Sequence, residues 1–363
     1  MTMFEAPAFA FLGALICNLV GTPVVIHLLK KYSVLDIPNE RSSHETPIPR
    51  GGGIVIVATW CFGMVMTWAI RFPLPELGIL GPNGFVVSMT IGMVALACLG
   101  FIDDRRDLKP LLKLVVQIAV AAQALWLSGL ELTDFCLPYL PDFHLGPWSH
   151  LVGMIWLVGL TNIFNFMDGI NGLAFTQLIF GGTTFCLIGI LNGDYELAIS
   201  GALVAGSAVG ILKYNFPKAL VFMGDVGSLP LGFLLAFMGL RVAFGPSSEN
   251  MTFLQPVLVL WPFLYDGGFT LLNRLYHGRN PFRSHRSHLY QRLVISGESH
   301  MTITLRYGTA MFGCAVAGLF LPWLGEGARG AIMVVVLVAS VVFTVIIVRR
   351  VDAGMTLGDG AEE

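Results

Sequence analysis

Apolar segments long enough to cross about 30 Å of hydrocarbon recur from one end of this chain to the other, and no other feature restricts its fold so severely. About eleven can be counted, near residues 6–29, 53–70, 84–102, 111–128, 149–165, 173–191, 197–214, 228–244, 252–272, 303–323 and 330–348. A transmembrane barrel would instead alternate apolar and polar residues over short strands, and that alternation is absent. Only 12% of the 363 residues are charged, against roughly 25% in a soluble domain, so most of the surface faces something other than water. An all-α polytopic membrane protein is expected, embedded in a lipid bilayer. The opening stretch MTMFEAPAFAFLGALICNLV lacks the basic region of a signal peptide and is expected to be retained as the first span. The cysteines are scattered without a CxxC pair, which predicts neither a disulfide framework nor a zinc site.

Charge divides the loops into two sets. One holds Lys30, Lys31, Arg41 and Arg50; Arg105, Arg106, Lys109 and Lys113; Lys213 and Lys218; Arg274 to Arg306; and Arg349 and Arg350. The other holds only Arg71, Arg241 and Arg329. Positive residues concentrate in cytoplasmic loops, so the first set is expected inside, the N-terminus outside and the C-terminus in the cytoplasm. Residues 1–350 then read as one membrane domain, with functional loops at 30–52, 103–110, 165–172, 214–228 and 273–302, and 351–363 as a cytoplasmic tail. No internal repeat supports an inverted-repeat transporter.

Five cytoplasmic segments carry unusual polar residues. LDIPNERSSHETPIPRGGGIVI (Leu35–Ile56) ends in three glycines leading into a helix, a start whose N–H groups can approach an anion. CLGFIDDRRDLKP places Asp103 and Asp104 where the third span leaves the membrane, at the helix end whose dipole disfavours negative charge. Paired carboxylates at such a place suit a divalent cation or acid–base work. In TNIFNFMDGINGLAF, Asn162, Asn165 and Asp168 recur every three residues, which puts them on one helix face. KYNFPKALVFMGDVGSLPLGF holds Asp225 between glycines, with Ser228 able to cap the next helix. NRLYHGRNPFRSHRSHLYQRL interleaves Arg279, Arg283, Arg286 and Arg292 with His285 and His288, a set suited to phosphate. Carboxylates and amides on three loops thus face arginines and histidines on another. The carboxylates suit Mg²⁺ and the basic groups suit phosphates, which are the parts of a phosphoryl-transfer site. Its place at the bilayer surface suggests one lipid substrate and one soluble nucleotide.

These motifs resemble the polyprenyl-phosphate N-acetylhexosamine-1-phosphate transferases, glycosyltransferase family 4, which include the phospho-N-acetylmuramoyl-pentapeptide transferase. The resemblance rests on DDRRD (Asp103–Asp107), NIFNFMDGINGLA (Asn162–Ala174), FMGDVGSLPLGF (Phe222–Phe233) and HRSHLYQRL (His285–Leu293), in the family's order. It implies transfer of a sugar 1-phosphate from a UDP-N-acetylhexosamine to undecaprenyl phosphate, with release of UMP, at a bacterial inner membrane. It implies Mg²⁺, which Mn²⁺ can replace, held by Asp225 with Asp104. Asp103 and Asp104 match the acidic pair, one of which is proposed to activate the lipid phosphate. Asp168, Asn165 and Asn215 match the nucleotide and metal side, joined by Asn162 and Asn171, while His285, His288, Arg283 and Arg286 fall near the phosphates. A homodimer is what the family suggests, and no nucleic-acid partner is expected. Three departures stand out: His-Arg-Ser-His replaces a contiguous histidine run, Asp107 replaces a lysine, and Asn171 replaces an aspartate. The first two look more like the branch that starts O-antigen or related surface glycans. The rival reading, a flippase for lipid-linked sugars, predicts ionisable residues buried within spans, and the spans are almost free of charge. A single direct transfer and a covalent aspartyl intermediate both remain open, as does the division of labour between Asp103 and Asp104.

Overall fold

The computed structural model describes residues 3–38, 46–71, 84–135, 143–246, 252–279 and 286–355. These fold as α1 (Glu5–Lys31), α2 (Ile54–Arg71), α3 (Gly84–Arg106), α4 (Pro110–Ser128), α5 (Ser149–Met167), α6 (Leu173–Asn192), α7 (Tyr195–Leu212), α8 (Asp225–Phe244), α9 (Leu254–Val259), α10 (Trp261–Tyr276), α11 (Leu289–Ile295), α12 (His300–Phe320) and α13 (Glu326–Met355). Strand pairing among the described residues consists of two-residue ladders, such as Leu35–Asp36 against Ile48–Pro49, and an isolated parallel bridge between Arg50 and Phe222. In hydrocarbon the backbone must satisfy its own hydrogen bonds, and helices do so segment by segment.

Nine helices among the described residues are long and apolar enough to cross a membrane. The expected series of spans differs at one place. The expected span 252–272 is broken into α9 and α10 at Leu260, whose φ of −103° and ψ of 4° leave the helical range. Pro262, in the first turn of α10, has no N–H to donate, and its ring clashes with the carbonyl four residues earlier.

Packing orders the helices from axis to rim. In α8, 94% of the apolar window is buried, against 17% in α1 and 11% in α13, so α8 is the axis and the other two face lipid. Glycines bring neighbours onto α8, as small residues do between membrane helices. A Cβ on Gly100 of α3 would lie 2.1 Å from the Asp225 carbonyl oxygen, and one on Gly53 would lie 2.5 Å from the Gly227 Cα. The triple glycine therefore serves close approach. Its N–H groups do not face an anion, because Gly51 and Gly52 donate to the Phe222 carbonyl (3.1 and 2.8 Å) and Gly53 to that of Met223 (2.9 Å).

At the far end of α8, Arg241 grips Asp194 through two bonds of 2.6 and 3.1 Å, reaches Glu196 at 3.1 Å and lies 4.3 Å over the Phe85 ring. Asp194 also caps α7 through the Leu197 N–H at 3.2 Å.

Overpacking a tight interface costs about 1–3 kcal/mol. Gly100→Ala is expected to lower the thermal midpoint of the detergent-solubilised protein. Gly13→Ala, where a Cβ meets nothing within 4 Å, leaves it unchanged. Equal midpoints for the two variants would contradict the packing of α3 on α8.

Candidate active site

The site grows from the end of α3. After Arg106 the chain turns at Asp107, whose φ of 45° lies in the left-handed region that aspartate tolerates. The turn brings the Leu108 N–H to Asp103 Oδ1 at 2.7 Å. Pro110 then opens α4, and Lys113 in its first turn places Nζ 2.6 Å from Asp103 Oδ2. Asp103 is thus held by its own neighbourhood.

Asp104, the next residue, points about 100° further around the helix. Its Oδ1 accepts the Asp225 N–H at 3.0 Å and its Oδ2 the Val226 N–H at 3.1 Å, while Arg50 Nε lies 2.7 Å from Oδ1. Those N–H groups belong to the first turn of α8, whose capping position is Gly224 at φ 74° and has no side chain to offer. Asp104 supplies the missing cap from another helix and sits at a positive dipole end. The unfavourable position at the end of α3 is the favourable one for the start of α8. Neutralisation comes from Arg50 and Lys113, while Arg105 lies 4.9 Å over the Phe101 ring instead.

Fixed at the head of α8, the Asp225 carboxylate accepts from Arg50 Nη2 at 3.0 Å and Asn165 Nδ2 at 3.1 Å, with Lys113 Nζ at 3.8 Å. Asn165 also donates to Ser228 Oγ at 2.7 Å. Asp103 and Asp225 converge on Lys113, whose Nζ lies 2.6 Å from Asp103 Oδ2 and 3.8 Å from Asp225 Oδ2. Carboxylates gathered in this way favour a cation between them. Asp168 closes α5 at its C-terminal cap, its N–H on the Asn165 carbonyl at 3.3 Å. Its residue surface is partly accessible, yet burial of the carboxyl pushes its pKa well above the usual range; repulsion from Asp225 and Asp104 adds to this, and Arg50 opposes it.

Beside this cluster lies a cavity of about 340 Å³ between α4, α5 and α10. Its polar lining is Lys113, Gln117, Asn162, Asn165, Thr270, Arg274 and His288, and the remaining wall is mostly apolar. Asn162 pairs with Gln117 (2.7 and 3.3 Å), so Asn162 and Asn165 share one face, as their spacing predicts. His288 is buried, with Nδ1 3.0 Å from Asp266 Oδ1. Arg286 is exposed two residues earlier. Arg283 and His285 lie outside the described residues.

Two expected ligand residues fasten loops instead. Asn215 accepts the Gly172 N–H at 2.6 Å and donates to the Val221 carbonyl at 2.9 Å, so both ends of its buried amide are committed. The Asn171 amide donates to the Pro217 carbonyl at 3.0 Å. Asp104 is likewise a poor metal ligand, because its oxygens already serve two backbone N–H groups and Arg50. Arg50, Lys113, Gln117 and Asp266 are members of the site that sequence reasoning passed over. The isolated Asp266 in an apolar run was the one readable signal.

Among the described residues, no three His, Cys, Asp or Glu side chains stand grouped as a metal cage. Mg²⁺ commonly takes one or two carboxylates and completes its shell with water and phosphate oxygens. Asp225, at the head of α8, is a donor of that kind.

A family model described as glycosyl transferase family 4 matches residues 86–243, which include Asp103, Asp104, Asn165, Asp168 and Asp225. A decaprenyl-phosphate N-acetylglucosaminephosphotransferase of Mycobacterium leprae is 31% identical, over 95% of this chain and 91% of its own length. A probable undecaprenyl-phosphate N-acetylglucosaminyl 1-phosphate transferase of Bacillus subtilis is 29% identical, over 82% and 80%. A phospho-N-acetylmuramoyl-pentapeptide-transferase of Leuconostoc mesenteroides is 29% identical over 63% and 73%.

The raised Asp168 carboxyl fixes the sign of a stability test. Its contribution to the fold is present below the unfolded pKa of about 3.9 and is lost as pH rises through the higher folded value. In chelator-treated protein at alkaline pH, Asp168→Asn is expected to unfold at a higher temperature than the parent. The difference should shrink as the buffer is acidified toward the ordinary carboxylate range; a gap independent of pH would refute the assignment.

Proposed function

Because the chain belongs to glycosyl transferase family 4, we propose that it transfers an N-acetylhexosamine 1-phosphate from a UDP-linked donor to a polyprenyl phosphate such as undecaprenyl phosphate. The observation that carries this reading is the convergence of Asp103 and Asp225 on Lys113 beside a largely apolar cavity lined by Lys113, Arg274 and His288. An acidic cluster suited to a nucleotide-bound cation thus adjoins a recess suited to a lipid carrying an anionic head. N-acetylglucosamine is the favoured sugar, since the relatives named for it align over more of the chain than the muramoyl-pentapeptide transferase does. The lipid-linked product begins a cell-surface glycan. The bias of basic residues toward the loops at this end supports a site at the cytoplasmic face, in a bacterial inner membrane.

An oxygen of the lipid phosphate attacks the β-phosphorus of the donor. The bond from that phosphorus to the bridging oxygen breaks, UMP leaves with the bridging oxygen, and the sugar phosphate becomes joined to the lipid through a new diphosphate. Asp103, paired with Lys113 of the cavity wall, accepts the proton of a singly protonated lipid phosphate, while Asp104, engaged with the start of α8, holds Asp225 in place. Lys113 and Arg274 anchor the anionic head. Asn165 orients Asp225, and His288 and Arg286 stand on the phosphate side. Mg²⁺, with Mn²⁺ able to replace it, would be held by Asp225 and would supply charge neutralisation for the diphosphate.

Membranes bearing the protein should release UMP from UDP-N-acetylglucosamine only when given both undecaprenyl phosphate and Mg²⁺, and a chelator should abolish release. Asp225→Ala and Asp103→Asn are each expected to lower turnover by about 100-fold or more. Full turnover in either variant would remove the proposed centre.

Protons and cations compete for the carboxyls of the cluster. The Mg²⁺ concentration giving half-maximal turnover is therefore expected to rise as the pH is lowered. A half-maximal concentration that stays constant across pH would contradict carboxylate binding.

A further inference from the structure

We infer that Asp266 is a positioning residue that fixes the ring and the proton of His288. It lies in α10, 1% exposed, in the interior of a membrane protein where an isolated carboxylate is costly. Both carboxylate oxygens are engaged. Oδ1 takes His288 Nδ1 and the Leu289 N–H, both at 3.0 Å, and the Thr270 hydroxyl at 3.3 Å; Oδ2 takes the Tyr290 N–H at 3.1 Å and the Tyr307 hydroxyl at 2.6 Å.

A carboxylate offers only lone pairs, so Nδ1 carries the hydrogen and the neutral ring has its acceptor at Nε2. The two backbone donors directly follow His288 and open α11, so one carboxylate fixes both the ring and the chain that carries it. Tyr307 of α12 holds that carboxylate from the opposite side. The His288 N–H meets Gln291 Oε1 at 3.2 Å, which anchors the residue further. The ring lines the same cavity as Lys113 and Asn165, so fixing the ring fixes part of that cavity's wall. The inference rests on the reading that His288 acts at the transferred phosphates.

The alternative is that Asp266 only caps α11. A double-mutant cycle on the purified full chain separates the two. UMP release is measured for Asp266→Asn, His288→Gln and the double variant, with thermal midpoints recorded alongside. The expected result is a loss of about 10–100-fold in kcat for Asp266→Asn at little changed KM, with no further loss when it is added to His288→Gln. Losses that multiply in the double variant, or full turnover in Asp266→Asn while His288→Gln is inactive, overturn the inference and leave the proposed transfer standing. Full turnover in His288→Gln removes the reading beneath it and the inference with it.

Should Asp266→Asn fail to fold, the parent protein decides. In ¹⁵N-histidine-labelled protein in alkaline buffer, with the His288→Gln spectrum for assignment, His288 is expected to be protonated at Nδ1. Protonation at Nε2 overturns the inference.

Discussion

The acidic cluster depends on one bond pair, the two N–H groups of Asp225 and Val226 on the carboxylate of Asp104. A helix start inside a membrane bundle has orphan amides that neither water nor lipid can serve. Gly224 has no side chain for them, and the close approach there excludes one, since a Cβ would lie 2.7 Å from Asp104 Oδ2. The solution is a carboxylate from α3, with Arg50 balancing its charge. Once that cap is in place, Asp225 has one direction to face, toward Asp103 and Asn165. The adjacent aspartates then have different partners: Asp104 caps α8, and Asp103 pairs with Lys113 of the cavity wall.

The same device occurs at Asp266, a buried carboxylate of α10 that receives the first amides of α11. In both cases the chemically interesting side chain, Asp225 or His288, stands at the head of a helix held by a carboxylate from a different one. A carboxylate with several N–H donors is far less costly in a low-dielectric interior than an isolated one. It also leaves little freedom to the residue beside those amides.

Much of this was legible in the residues themselves. The length of the apolar runs gave the architecture, and the Asn162–Asn165–Asp168 spacing gave a shared face that the cavity lining bears out for the two asparagines. Partnerships were not legible. Arg50 bonds Asp225 across 175 residues, and nothing local separates it from the basic residues that merely mark a membrane side. Asn215 and Asn171 have the composition of ligand residues, but an amide side chain serves a stray carbonyl equally well. Asp266 was submerged in an apolar average, and the same averaging ran α9 and α10 together across Pro262. The triple glycine read as an anion seat because its N–H groups look unoccupied until the 222–223 backbone is placed against them.

The spacing of these contacts along the chain also sets an order of assembly during biosynthesis. Asp103 finds Lys113 ten residues on, as soon as α4 follows α3 into the bilayer. Asp104 must wait 121 residues for the amides of Asp225, and Asp266 waits for α11 and then α12. A nascent chain arrested after α7 therefore has a paired Asp103 and, beside it, an Asp104 that has Arg50 but not the two amides it caps. The centre for chemistry closes only when the axis helix has arrived.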